Sequence, residues 1–540
     1  MSTCVSEASG ARASSAPFIR ARVAVGERQT LPLAAAIDVG TATAFALTTV
    51  SALAYAAAFP PLSWSIAPWL ALAPLLVACA SLSPLRAAIA GMWFATVAGL
   101  GVVWFLPEML SRYFGLATAP SWLAAGAIVG GFHGVPVGFY TAWVAWLARR
   151  RAANPILLAG GWLACEFARA HGGLGSPWAL VAYSQVSWTR VIQIADLAGP
   201  YGIGMLVAGV NACVAAWWVP ALRGRRPRLG AATIAVALVS ACLYGQWRLG
   251  QTFAEGPAVR VAVIQGGAPP AEKSQRAAHL AGYVALTRAA AAPLADLIVW
   301  PESAVSEYLD EPSSTRDRVL RLADDTGADV ILGGPHYTPS SSGTRYHNSA
   351  YLIRDGRVAA RYDKHRLVPF AEDGRFSWLF GDRTTAYAPG LGAFILPSTA
   401  MRVGALLCVE AMFPDLVSQA VRQGAEVLVN LSNDAWFGHD APARQQLEIA
   451  TLRAVENRRY LVRAASTGFS AVVDPHGQTL AESAYDADQV LNATVRASHA
   501  RTPYQRWGDA FAWLVMAGVA AASLRSLIET TEHQQRRRFV

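Results

Sequence analysis

The sequence predicts two folds in one chain: a multi-span α-helical membrane domain and, ahead of its last span, an α/β extracytoplasmic domain. Three observations carry this reading. Of 540 residues, 54% are hydrophobic and only 15% are charged, which is too apolar for a chain that lives wholly in water. The apolar residues collect in runs close to the roughly 20 residues that cross a bilayer. The charge is also divided, because residues 259–496 carry 23 basic and 26 acidic side chains while the formal charge of the whole chain is +9.

Residues 1–40, rich in Ala, Ser and Arg, are expected to form a disordered cytoplasmic tail. A membrane domain over 41–257 follows, with apolar runs near 41–59, 66–83, 86–107, 119–147, 155–168, 199–220 and 229–247. Residues 498–540 add a last run near 508–527 and a basic end, giving eight spans if the short fifth run counts. Lys and Arg collect in the cytoplasmic loops of membrane proteins. Arg12, Arg20, Arg22 and Arg28 precede the first run, Arg149–Arg151 follow the fourth, Arg223, Arg225, Arg226 and Arg228 follow the sixth, and Arg536–Arg538 close the chain. With eight spans all of these share one side, and the polar domain at 258–497 faces the other. Arginines placed beside apolar runs are topology signals, so a nucleic-acid partner is set aside.

Within the polar domain Val259–Gln265, Leu297–Trp300, Val330–Gly333, Ala350–Ile353, Val403–Leu407, Val427–Asn430 and Ser470–Val473 read as strands. Ser314–Asp325 and Pro442–Glu456 read as helices between them. The result is an α/β or layered α+β domain large enough for its own core.

Of the six cysteines, Cys79, Cys165, Cys213 and Cys242 lie in apolar runs and Cys4 in the tail, which leaves Cys408 alone in the polar domain. It has no partner there for a disulfide, and no Cys or His spacing points to a metal, so no cofactor is expected. Cys408 ends one strand run and Glu302 follows another, where groups at strand C-termini converge on one rim of a layered fold. Each alone also reads as packing or as a helix cap. Lys364 changes the balance, because the chain uses arginine almost throughout and has only Lys273 and Lys364. A compact ammonium can point at a developing oxyanion where a guanidinium fork cannot. The three residues fit thiol-based acyl transfer: Glu302 takes the thiol proton, Cys408 attacks a carbonyl, and Lys364 with the Val409 N–H holds the oxyanion.

Trp300-Pro301-Glu302-Ser303, Tyr362-Asp363-Lys364-His365-Arg366-Leu367-Val368-Pro369-Phe370-Ala371-Glu372, Cys408-Val409-Glu410 and Asn430-Leu431-Ser432-Asn433-Asp434-Ala435-Trp436-Phe437-Gly438 resemble the nitrilase, or carbon–nitrogen hydrolase, superfamily. The membrane runs, together with Val261–Gly266 and Tyr504–Asp509, resemble its membrane branch, the apolipoprotein N-acyltransferases. The resemblance implies an αββα sandwich and a Glu302–Lys364–Cys408 triad supported by Glu372, Glu410 and Asn348. It also implies a ping-pong transfer from a phospholipid donor to the α-amino group of a diacylglyceryl-cysteine on an apolipoprotein. The expected location is a bacterial inner membrane, with the catalytic domain on the periplasmic side. Two rivals use the same residues: a membrane-tethered amidase or nitrilase with water as acceptor, and a membrane scaffold with a degenerate hydrolase domain.

Trp436 and Phe437 are candidate acyl-chain contacts. In the fifth run Trp162, Glu166 and Arg169 recur at helical spacing, and charge there is costly unless it faces a cavity or the interface, so Trp162 and Glu166 join the candidate lipid contacts. His133, between two glycines, reads as a packing residue. Val409, Gly267-Ala268-Pro269 and Asp373-Gly374-Arg375-Phe376 depart from the usual pattern of the branch.

Overall fold

The computed structural model describes residues 40–538 apart from 173–174, 225, 268–271, 291–294, 342, 370, 375–385 and 393. The basic tail with Cys4 lies outside the described residues, as do Arg225, Ala268, Pro269, Phe370, Arg375 and Phe376.

Every apolar run forms helix. Thr41–Ala56, Ala73–Ser81, Pro84–Val102, Thr118–Val129 continued by Val135–Arg149, Pro155–Ala170, Ala195–Trp218 and Pro227–Leu249 precede the polar domain, and Ala510–Arg538 follows it. Local chemistry sets several starts. Ser83 and Asn154 accept the Arg86 and Leu157 N–H groups at 3.4 and 3.0 Å, each followed by a proline at the first helical position, where its missing N–H costs nothing. Among the described residues, five stretches are long and apolar enough to cross a bilayer: 84–102, 118–149, 195–218, 227–249 and 510–529. The helix at the short fifth run has 16 residues and is buried on most sides. Its Trp162 sits edge-on to Tyr55, Phe94 and Tyr140 at the centre of the bundle.

Among the described residues, twelve strands build the polar domain: β1 (Ala258–Gln265), β2 (Leu297–Val299), β3 (Asp329–Ser340), β4 (Gly343–Arg354), β5 (Arg357–Asp363), β6 (Ile395–Pro397), β7 (Arg402–Leu407), β8 (Val427–Ser432), β9 (Leu461–Ala465), β10 (Ala471–Val473), β11 (Thr479–Glu482) and β12 (Gln489–Arg496). They form two six-stranded sheets, β12-β1-β2-β3-β4-β5 and β11-β10-β9-β8-β7-β6. In each sheet a parallel trio, β1-β2-β3 or β7-β8-β9, holds the middle. Strands buried on both faces need continuous apolar sequence, and Leu297–Val299 and Val427–Leu431 supply it.

Between the sheets Val261, Val263, Val299 and Ile331 meet Val403, Ala405, Val427 and Val429. The alternate residues of the first sheet, such as Ile298, Trp300 and Val330, pack under helices Arg276–Ala290 and Ser314–Thr326. Pro414–Arg422 and Asp440–Asn457 cover the second sheet, which completes an αββα sandwich.

Helix Asp440–Asn457 is shared between the two parts. Leu447, Ala450 and Ala454 enter the sandwich core, while Ile449, Leu452 and Val455 enter the core of the membrane helices. Polar contacts fix the seam. Gln445 accepts the Trp178 indole N–H at 2.6 Å and donates to the carbonyls of Pro60 and Val102 at 3.0 Å. The buried Arg458 donates to Asp196 at 2.7 Å and to the Gln193 carbonyl at 3.1 Å. A buried ion pair so fully hydrogen-bonded costs several kcal/mol to break from one side, so the polar domain is held firmly on the bundle.

The strands read from sequence are present, but β3 and β4 run longer than their apolar halves. Their outer ends, Thr338–Ser340 and Gly343–Tyr346, are polar and partly exposed, so hydrophobicity gives no signal there. β5 escaped for the same reason, with Arg357, Arg361 and Asp363 in seven residues.

Candidate active site

Glu302 lies just past β2, where the chain must turn against β3. A Cβ on Gly333 would stand 2.6 Å from the Glu302 Cα, so only glycine lets the two backbones approach this closely. Cys408 sits at the tip of β7 with φ of +51°, a left-handed conformation that costs a non-glycine residue about 1–3 kcal/mol. It opens a single turn of 3₁₀ helix, Cys408–Met412. Lys364 follows β5 and is locked on both sides: its N–H donates to the Asn348 carbonyl at 2.9 Å, and its carbonyl accepts from Gly390 at 2.8 Å.

The three side chains converge in a buried polar cluster. Lys364, 1% exposed, donates from Nζ to Glu372 Oε1 at 2.9 Å and to Glu302 Oε1 at 3.4 Å. Asn348 Nδ2 donates to Glu302 Oε1 at 2.7 Å and to Glu372 Oε1 at 3.3 Å. The Asn433 N–H donates to Glu302 Oε2 at 2.8 Å, and the Val368 N–H to Glu372 Oε2 at 2.8 Å. Glu302 is thus fixed at both oxygens by one segment from each sheet.

The electrostatics follow from burial and from two carboxylates sharing one ammonium. Burial pushes the Glu302 carboxyl above the ordinary carboxylate range, against the pull of Lys364. Burial alone would lower Lys364, yet Glu372, Glu302 and Cys408 together hold its ammonium well above the ordinary lysine value. The Cys408 thiol is pushed up by burial first and by Glu302 second, with Lys364 opposing. The resting site therefore holds a thiol, and a thiolate forms there only as its proton leaves to a neighbour.

Glu410 does not face this cluster. Its carboxylate accepts four hydrogen bonds, from Tyr362 Oη and the Leu407 N–H at 2.8 Å, the His365 N–H at 2.7 Å and the Arg366 N–H at 2.9 Å. It ties the segment after Lys364 to the strand that presents Cys408, and so acts by positioning. Each oxygen accepts two donors, so an amide nitrogen at either place would meet donors. Glu410→Gln is expected to lower kcat at least about tenfold with little change in KM, since small misplacements of reacting groups are costly; steady-state kinetics checks it.

Asn348, expected from the family resemblance, lies in this cluster, whereas Asn430, Asn433 and Tyr387 were not among the expected residues. Asn430 donates to the Cys408 carbonyl at 3.2 Å and accepts from Arg463, which pairs with Asp434 at 2.9 Å. Their signal was the polar run Asn430–Asp434 at the end of an apolar strand. Tyr387 donates its N–H to the Glu372 carbonyl at 2.8 Å, and its phenol feels the charges of Glu372, Glu302 and Lys364. Nothing linear marks it.

Trp436 is exposed and stacks on Tyr113 at 4.4 Å, whose hydroxyl donates to the Ala435 carbonyl. Phe437 meets Phe105 and Trp178 at 5.5 and 5.9 Å. Trp178 also lines a small cavity between the membrane helices, together with Trp162, Arg169, His133, Tyr55 and Phe94. Arg169 donates to the Ala179 carbonyl and to Glu166, and contacts His133 Nδ1 at 2.6 Å. Glu166 is buried and turned to the Val181 N–H at 2.8 Å. The structure thus puts Trp162 on the cavity wall, gives Glu166 the task of orienting Arg169, and keeps both away from the Lys364 cluster.

Residues 260–504 match the carbon–nitrogen hydrolase family, and residues 51–213 match the apolipoprotein N-acyltransferase N-terminal domain. The apolipoprotein N-acyltransferase of Geobacter metallireducens is 32% identical over 513 residues, covering 91% of this chain and 96% of its own. The chain belongs to the apolipoprotein N-acyltransferase family. The enzymes of that name from Caulobacter vibrioides and Methylococcus capsulatus are 30% and 29% identical, with 82% and 89% of this chain and 87% and 95% of theirs covered. Membership in this family joins the αββα sandwich to the helical bundle as one enzyme architecture, as the shared helix Asp440–Asn457 requires.

Proposed function

We propose that this family member transfers an acyl chain from a phospholipid to the α-amino group of a diacylglyceryl-cysteine at the N-terminus of an apolipoprotein, by a ping-pong route through Cys408. The observation that carries the reading is the buried Lys364 ammonium between Glu302 and Glu372, electrostatically coupled to the Cys408 thiol.

In the first half, the thiol proton passes to Glu302 as the sulfur attacks the donor's ester carbonyl. This transfer leaves the net charge of the cluster unchanged, so no charge enters a buried site. Lys364 and the Val409 N–H stabilise the oxyanion. The intermediate collapses to a thioester, and the departing lysophospholipid alkoxide takes the proton from Glu302. In the second half, the acceptor amine attacks the thioester, Glu302 takes its proton, and the sulfur leaves to recover that proton as the thiol. Glu372 and Asn348 keep the ammonium and the base in register.

The seam between bundle and sandwich supports a lipid route. Phe437 touches Trp178, and Trp178 opens onto a largely apolar cavity between the helices. The basic loops support a catalytic domain on the periplasmic side of the inner membrane. Product analysis separates transfer from hydrolysis. Purified protein given phospholipid and a diacylated lipopeptide should yield triacylated lipopeptide and lysophospholipid in equal amounts. Free fatty acid with an unchanged lipopeptide would instead make the protein a hydrolase.

A further inference from the structure

On the edge of the first sheet, behind Lys364, three metal-ligand side chains meet. His336 of β3 and His347 of β4 lie directly opposite each other across a hairpin. Asp363 of β5 pairs with Ser349, two residues along β4 and so on the same face. One ligand atom from each of the three lies within 4.8 Å of the other two. The hairpin creates this cluster, and the linear spacing of the residues resembles no metal motif.

His336 is only 5% exposed, and its Nδ1 makes no hydrogen bond among the described residues. That nitrogen stands 3.3 Å from Asp363 Oδ1. A bare ring lone pair facing a carboxylate oxygen is unfavourable, so either that nitrogen carries its proton toward Asp363 or a cation lies between the two. The separation equals the edge of about 3.3 Å of a tetrahedron drawn with zinc bonds of about 2.0–2.1 Å. His347 Nδ1 donates to the Ala388 carbonyl at 2.9 Å, and its Nε2 lone pair accepts from the Thr338 hydroxyl at 2.9 Å, a bond that an incoming cation displaces. A backbone carbonyl on the far nitrogen is the usual support of a metal-bound imidazole.

The surrounding groups complete the account. Asp310 Oδ2 stands 3.8 Å from His336 Nε2, beside the other ring nitrogen, and Ser349 Oγ donates to Asp363 Oδ1 at 2.6 Å. Arg361 is the competing cation, 3.1 Å from Asp363 and 3.3 Å from Asp310. Its side chain is 30% exposed, so it can swing into water when another cation takes the carboxylate.

We propose that His336, His347 and Asp363 form a structural site for a first-row divalent cation, with zinc the best match to two imidazoles and a carboxylate. The position gives it a task. Asp363 immediately precedes Lys364, and the Ala388 held by His347 adjoins Tyr387, which in turn holds the Glu372 backbone. An ion there clamps β3, β4 and β5 and stiffens the wall that carries the lysine, without touching substrate.

The test uses untagged full-length protein in detergent, in a Cys408→Ala background so that the thiol does not compete. After stripping with chelator it is titrated with zinc chloride, with cobalt chloride as a visible probe. One equivalent of zinc retained through gel filtration, a higher Tm on binding and a tetrahedral cobalt absorption are expected. His336→Gln is expected to bind at least tenfold more weakly while keeping the Tm of the metal-free protein, with His347→Gln as the second variant should the first fail to fold. Absence of stoichiometric retention, or zinc binding by either folded variant as tight as that of the parent protein, overturns the site. So does a His336 ring that titrates in the NMR spectrum while no zinc binds, because a proton would then be bridging the pair.

Discussion

Lys364→Arg is expected to lower acyl transfer at least about 10²-fold while the protein stays folded, the size of loss that follows removal of one oxyanion donor. Nζ is enclosed between Glu302 and Glu372, and a guanidinium keeps the charge but cannot place one compact donor at the same point. Lys364→Met separates charge from geometry. It leaves two carboxylates buried without their cation, a change that costs about 3–5 kcal/mol when one partner of a buried pair is removed, so both turnover and Tm should fall. Turnover assays with thermal unfolding check the contrast, and a Lys364→Arg protein with near-normal turnover would remove the oxyanion role.

Glu302→Gln is expected to cost about 10²–10⁴-fold in turnover, the range for loss of a positioned general base. Both oxygens of Glu302 accept N–H donors, from Asn348 on one side and Asn433 on the other. An amide nitrogen faces a donor in either orientation. The pH profile supplies the second readout. Glu302 must be deprotonated to take the thiol proton, so activity rises with pH through its pKa, and burial moves that limb above the ordinary carboxylate range. The limb should be lost in Glu302→Gln. A profile whose acid limb lies at the usual carboxylate value would mean that Glu302 is not the base.

Much of this was legible in the sequence because burial writes itself as composition. Leu297–Val299 and Val403–Leu407 are buried on both faces, so they had to be continuous apolar runs, and the polar residues at their ends stood out. The same logic failed where the fold relies on pairing instead of burial. β5 is charged and forms at an edge, so neither it nor the meeting of Asp363 with His336 and His347 has a linear signature. Tyr387 is brought to Glu372 by a backbone contact alone. Glu166 shows a different limit: its helical spacing with Arg169 suggests a lipid contact, and the carboxylate is bonded to Arg169 and the Val181 N–H. Charge in an apolar helix marks a polar contact without saying whether the partner is lipid or protein.

The account stands most directly on the acyl-enzyme. Protein incubated with a phospholipid of defined acyl chains and no acceptor should gain the mass of one acyl group, located on the peptide containing Cys408. The mass should return to that of the free enzyme on adding a diacylated lipopeptide with a free α-amino group, as triacylated product forms. No added mass on Cys408, or triacylated lipopeptide formed by a Cys408→Ala protein, would contradict the thioester route.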